Sequence, residues 1–185
     1  PLCTPWDKES LKKLYEYGLR TVKFASADFT NHELLGSAVD MGMNLICSTG
    51  MSTQQEVIET SQFLKDKGAL FYFLHCQSSY PAAIKDINLS YMDTLKKYSR
   101  GGFVGYSSHD LGINVCLAAV SRGAKIIEKH FTTDKLLKGV DHRVSLLPRE
   151  FTTMVNSIRE IETSIGRSDK RMLSQGELIN RATLS

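Results

Sequence analysis

Six times in succession along the chain, a short apolar run is followed by a helical pattern. The runs are Leu2–Thr4, Thr21–Ala25, Asn44–Cys47, Leu70–Leu74, Phe103–Tyr106 and Lys125–Ile127, and each is expected to be a strand. Such alternation restricts the chain to a parallel sheet with helices outside it. The helical patterns carry their own punctuation. Asp7 and Asn31 stand at N-cap positions, and Thr53 with Glu56 has the spacing of a capping box. Gly18, Gly42, Gly68, Gly123 and Gly166 are placed as stops, and Pro148 suits the first turn of a last helix. That helix shows an apolar stripe of Phe151, Met154, Val155, Ile158, Ile161 and Ile165. The expected organisation is a catalytic domain over 1–166 and a linker or tail over 167–185, which lacks apolar periodicity.

Two architectures fit this pattern, an open doubly wound sheet and a (β/α)8 barrel. No GxGxxG or GxxxxGK[ST] follows any of the runs, which weakens a nucleotide-binding open sheet. The strand ends favour the barrel. Thr4, Lys23, Ser26, Ser48, Ser78, Ser107, His109, Glu128 and His130 all fall at or near the end of a run. Barrel enzymes collect their active-site residues from the C-terminal ends of many strands, whereas an open sheet concentrates them at its switch point. Six units do not close a barrel of eight, so either two strands precede Pro1 or the sheet is open. The expected fold class is therefore α/β, a (β/α)8 barrel of which this chain supplies about six β/α units.

Composition excludes several classes. The 185 residues have the length of one domain, and their 42% hydrophobic and 23% charged residues are ordinary for a globular protein. A net charge of +3, with no basic stripe, does not suggest a nucleic-acid partner. Cys3, Cys47, Cys76 and Cys116 show no CxxC spacing and read as small buried hydrophobes in a reducing cytosol. No apolar run approaches the ~20 residues that span a membrane, and no signal segment opens the chain. A cytoplasmic location is expected.

The stretch Phe103–His130 brings the most chemistry together. Side chains alternate faces along a strand, so Ser107 shares a face with His109, and Glu128 with His130. Two neighbouring parallel strands then place two imidazoles and a carboxylate at one sheet edge. His109 and His130 suit a divalent ion such as Mn²⁺ or Zn²⁺, or are hydrogen-bonded structural residues. Lys23 can form a Schiff base, pair with a phosphate, or snorkel. Ser26, Ser48, Ser78 and Ser107 together form a ring of hydroxyls suited to phosphate. Asp141 and His142 lie in the loop after the last strand and either reach the site or stay on the surface. His75 reads as a satisfied core histidine, and Tyr80-Pro81 as a loop-shaping pair.

The motifs KFAS (Lys23–Ser26), STGM (Ser48–Met51), HCQSSYP (His75–Pro81), GYSSHD (Gly105–Asp110), EKHFT (Glu128–Thr132) and GVDHRVSL (Gly139–Leu146) occur in that order. In order and spacing they resemble the sialic acid synthase family, which includes N-acetylneuraminate synthase and its legionaminate and pseudaminate relatives. CTPWD (Cys3–Asp7) is similar to the family's STPFD-type strand. The resemblance implies a (β/α)8 barrel that condenses phosphoenolpyruvate with an N-acylated hexose such as N-acetylmannosamine, releasing phosphate by C–O cleavage. It implies metal ligation by His109 and His130, with Mn²⁺ expected and Mg²⁺, Co²⁺ or Zn²⁺ as alternatives. Lys23, Ser26, Ser48, Ser107 and Thr4 match groups around phosphoenolpyruvate. Ser78 falls where some members carry asparagine. Glu128, Tyr80 and Asp141 match residues facing the sugar, with Glu128 a candidate for orienting or deprotonating water. A homodimer is implied for the complete protein. The family's first strands and its small C-terminal domain have no counterpart in this chain, which reads as the central piece of such an enzyme. Two rival readings remain: a Schiff-base pyruvate aldolase using Lys23 or Lys129, and an inactive relative that only binds a partner.

Overall fold

The computed structural model describes residues 1–184. Five strands form one sheet: β1 (Thr21–Phe24), β2 (Asn44–Ser48), β3 (Phe71–Cys76), β4 (Val104–Ser108) and β5 (Ile127–Lys129). All neighbours are parallel and the spatial order is β1-β2-β3-β4-β5, each strand added beside the one before. An unbroken order of this kind has no switch point. It is the winding of a (β/α) barrel, and the five strands make a curled part of one. The helices are α1 (Lys8–Glu16), α2 (His32–Asp40), α3 (Gln54–Asp66), α4 (Tyr91–Leu95), α5 (Asn114–Ser121), α6 (Pro148–Ile165) and α7 (Gln175–Leu184).

Local chemistry sets the helix starts. Asp7 Oδ1 accepts from Ser10 N at 2.6 Å, and Asn31 Oδ1 from Leu34 N at 3.2 Å. Thr53 and Glu56 close a reciprocal capping box, with Thr53 N donating to Glu56 Oε2 at 2.6 Å. Pro148 opens α6 as expected.

Alternation along the strands separates two faces. Val22, Phe24, Leu45, Cys47, Phe71, Phe73, Val104 and Tyr106 join one buried cluster with Leu11, Leu34, Leu35, Val57, Leu64, Met92, Leu95, Cys116 and Ala119 of the helices. This is the sheet–helix layer. The alternate residues Lys23, Ser48, Cys76, Ser107 and Glu128 point the other way, toward the interior of the curl. The interior is tight at Gly105, where a Cβ would meet Leu74 Cδ2 at 2.4 Å and Ile126 O at 2.5 Å.

Several expectations shift on contact with the structure. Leu2–Thr4 is not a strand, although Lys23 N donates to Cys3 O at 3.0 Å and so holds the segment beside β1. Pro5 has no amide hydrogen with which to extend that ladder. β5 lies two residues later than the apolar run, because its ladder pairs Ser107 with Glu128 and Ser108 with Lys129. The polar loop after β5 holds a 3-10 turn at Asp141–Arg143, and Phe131 bridges Leu146 in parallel before α6. The stretch read as a tail carries α7, which has no buried side chain. Cys47, Cys76 and Cys116 are buried, but Cys3 is exposed, since no second strand covers its segment. No helix among the described residues is long and apolar enough to cross a membrane.

Candidate active site

The strand ends open into a cleft of about 520 Å³. Thr4, Lys23, Ser26, Ser48, Ser78, Tyr80, Ser107, His109, Glu128, His130 and Asp141 all line it, so the structure brings together every site residue read from the sequence. His75 does not join them. It is buried, with Nε2 2.6 Å from Ile87 O, as a satisfied core histidine. His142 is held aside by Thr132, with Nδ1 to Oγ1 at 2.8 Å.

One wall carries the ionic groups. Lys23 is only 6% exposed; its Nζ donates to Phe24 O at 3.0 Å and lies 3.4 Å from Glu128 Oε1. Ser107 Oγ donates to the same carboxylate oxygen at 2.6 Å. Glu128 keeps 40% of its side chain exposed and remains open to the cleft. Ser26 Oγ, at the head of a short turn after β1, accepts from Gly50 N at 3.1 Å. Ser48 is 2% exposed, and its Oγ has no hydrogen-bond partner among the described residues. A buried hydroxyl costs free energy unless it is paired, so this one is available to a ligand.

The other wall is aromatic. The rings of His109 and His130 lie 5.2 Å apart, and Tyr80 packs 4.1 Å from His109 and 5.8 Å from His130. The Tyr80–Pro81 peptide is cis. His109 Nδ1 is 2.8 Å from Gln77 O and 3.7 Å from Cys76 Sγ. Burial alone lowers the His109 pKa, but the Cys76 thiol, the Gln77 carbonyl and Glu128 outweigh it and raise the value above the ordinary one. His130 moves the opposite way: burial lowers it, with Asp141 in partial opposition. Burial pushes the Cys76 thiol up, yet His109, Ser26 and Ser78 prevail and lower its pKa. Burial raises the Tyr80 phenol.

Cys76, Trp6 and Met51 also line the cleft and were not read as site residues, while Lys129, the second amine of the aldolase reading, borders it with its Nζ turned away to Ser108. A signal existed for Cys76. It ends β3 on the same side as the interior-facing Leu74, two residues before Ser78, so strand parity alone predicts it there.

A cleft at the C-terminal ends of parallel strands, lined by a buried lysine, several hydroxyls and a histidine pair, is placed where barrel enzymes carry their active sites. The chain belongs to the NeuB family, whose model matches residues 1–170. It is 40% identical over 173 residues to the N,N'-diacetyllegionaminic acid synthase of Campylobacter jejuni, covering 92% of this chain and 52% of that protein. It is 39% identical over 159 residues to the N-acetylneuraminate-9-phosphate synthase of Drosophila melanogaster, covering 85% of this chain and 43% of that one. Among solved structures, the N-acetylneuraminic acid synthetase from Leptospira borgpetersenii, in complex with citrate, superposes with a TM-score of 0.87 at 38% identity. That match covers 98% of this chain and 64% of that one. The chain spans about half the length of the curated relatives it matches.

Proposed function

We propose that the protein condenses phosphoenolpyruvate with an N-acylated hexose, N-acetylmannosamine or a related sugar, giving a nonulosonic acid and inorganic phosphate. The observation that carries this reading is the convergence of buried Lys23 with the hydroxyls of Ser26, Ser48 and Ser107, one of them unpartnered, in a cleft sized for small molecules. Membership of a family that includes sialic, legionaminic and pseudaminic acid synthases supports it.

In this reading Lys23 offsets the negative charge of phosphoenolpyruvate, and Thr4, Ser26, Ser48, Ser78 and Ser107 orient its oxygens. Tyr80 and Asp141 face the sugar. The enol carbon of phosphoenolpyruvate bonds to the aldehyde carbon of the open-chain sugar, whose oxygen takes up a proton, and the phosphate-bearing carbon becomes cationic. Glu128, poised between Lys23 and Ser107, accepts a proton from the water that adds there. Phosphate then leaves with its bridging oxygen. Two contacts weigh against the Schiff-base reading: Lys23 Nζ lies 3.4 Å from Glu128 Oε1, and Lys129 Nζ donates to Ser108 Oγ at 2.8 Å.

His109 and His130 fit a divalent ion. In the neutral form of His109, Nδ1 donates to Gln77 O and Nε2 carries a lone pair for a ligand, and burial favours the neutral form of His130. No group of three histidine, cysteine, aspartate or glutamate donors surrounds such an ion among the described residues. Mn²⁺ suits imidazoles completed by water and substrate oxygens, with Mg²⁺, Co²⁺ or Zn²⁺ as alternatives. When bound, such an ion supplies Lewis acidity toward the sugar aldehyde. The free thiols support a cytoplasmic location, and a homodimer belongs to the same reading.

The test is the protein itself, given phosphoenolpyruvate labelled with ¹⁸O at the bridge and a panel of N-acylated hexoses. Sugar-dependent phosphate release is expected, with the label in the phosphate. No sugar-dependent release, or label recovered in the sugar product, would overturn the proposal.

A further inference from the structure

The cleft-facing residues of β4 and β5 have polar neighbours on the opposite face, where the sheet meets α5. Lys129 Nζ donates at 2.8 Å to Ser108 Oγ, its partner in the β4–β5 register, and also to the main-chain oxygen of Asp110. Ser108 Oγ donates to Asp110 Oδ1 at 2.6 Å, and Tyr106 OH to the same oxygen at 2.7 Å. Tyr106 and Asp110 are fully buried, and Ser108 is 1% exposed.

Such a cluster is costly in a largely apolar layer, because a buried polar group left unmatched loses free energy. Its placement shows what it does. Asp110 follows His109 in the chain, and Lys129 precedes His130. The ladder between β4 and β5 ends at the Ser108–Lys129 pair, and β5 is a three-residue strand at the sheet edge. Beyond that pair, the lysine itself carries the connection, from β5 to the main-chain carbonyl of Asp110, the residue after His109. The two backbone segments that bear the imidazoles are thus tied together from behind.

We infer that Tyr106, Ser108, Asp110 and Lys129 form a clamp that sets the separation and facing of His109 and His130. Lys129 is then a positioning residue for the pair, acting from the face of the sheet that meets α5. The clamp rests on geometry alone; its consequence for turnover rests on the synthase reading.

Three variants test it: Lys129→Met, which keeps the stem and removes the donors, Lys129→Arg, which keeps a cation, and Ser108→Ala, which removes one hydroxyl. The first readout is the nuclear Overhauser contact between the His109 and His130 rings, with the His75–Tyr91 contact as an internal control (centroids 5.2 and 5.7 Å apart). The His109–His130 contact is expected to weaken in Lys129→Met and Ser108→Ala and to return in Lys129→Arg, with the control unchanged. The second readout is turnover, where kcat is expected to fall about 10–100-fold in Lys129→Met, the range for lost supporting hydrogen bonds, while the KM for phosphoenolpyruvate holds. An unchanged histidine contact in both donor-removing variants overturns the clamp. So does its loss together with the control, which would mark a general structural role. Should Lys129→Met not fold, Ser108→Ala decides by the same readouts. Absence of condensation by the wild-type protein would defeat the synthase reading, while the ring contacts would still decide the clamp.

Discussion

Gly50 has no side-chain chemistry, yet it shapes the wall of the cleft that carries Ser26 and Ser78. A Cβ at this position would lie 2.1 Å from Ser78 Oγ, 2.8 Å from Ser26 Oγ and 3.1 Å from Cys76 Sγ. Gly50→Ala must therefore displace both hydroxyls. The expected cost is about 1–3 kcal/mol of stability, the usual penalty for overpacking, with a further loss of phosphoenolpyruvate affinity. Thermal unfolding and calorimetric titration read the two effects separately, and unchanged affinity would remove the hydroxyls from the anion site. The histidine pair makes a second residue-scale prediction. His109→Ala and His130→Ala should each abolish Mn²⁺ binding with the fold intact. Metal content equal to wild type in both variants would withdraw the metal from the proposal.

At the scale of elements, β3 is the central strand, and the two faces of its chain do different work. Phe73 lies on the face toward the helices, fully buried, with its ring 5.2 Å from Phe29 and 5.0 Å from Phe71. Cys76, at the end of the same strand, belongs to the cleft face. Phe73→Ala is expected to cost about 3–5 kcal/mol, as large-to-small changes in a close-packed core do. A urea midpoint that falls while the slope of the transition holds would check this; a loss below about 1 kcal/mol would mean the site collapses and refills.

For the whole molecule, the strand order and the buried histidine make stability depend on pH in a definite direction. His75 ties β3 to the 3-10 turn ending near Ile87, and burial lowers its pKa below the ordinary 6.5, with the Ile87 carbonyl opposing. A lowered folded value means that the unfolded chain takes up the proton first as pH falls. The stability His75 contributes is therefore fully present above about 6.5 and is lost as pH drops through the folded value. Thermal midpoints of wild type and His75→Gln, compared between about pH 8 and pH 5, should converge toward the acid end. His130 titrates in both proteins and cancels in the comparison. A gap that stays constant with pH would show that the ring contributes through packing alone.

What the sequence determined by itself was whatever depends on near neighbours in the chain. Asp7 caps a helix through Ser10, Asn31 through Leu34, and Thr53 through Glu56, all within three residues. Strand parity put Lys23, Ser48, Ser107 and Glu128 on one face, and the repeated β/α pattern gave the parallel sheet. The order of six motifs named the family before any distance was known. Only the tertiary structure decided which of these groups meet, because the meeting residues are far apart in the chain and no local rule joins them. Lys23 reaches Glu128, Cys76 lies 33 residues from the imidazole it contacts, and Lys129 closes on Ser108 across a strand pair. The same holds for what failed to form. Leu2–Thr4 has strand-like residues but, among the described residues, gains a single ladder bond, from Lys23 N to Cys3 O, beside a proline that cannot donate. At Gly50 the ends of β1 and β3 close on the turn after β2, which no local rule foretells. Close approach is a property of packed neighbours, and packing is decided by the whole fold.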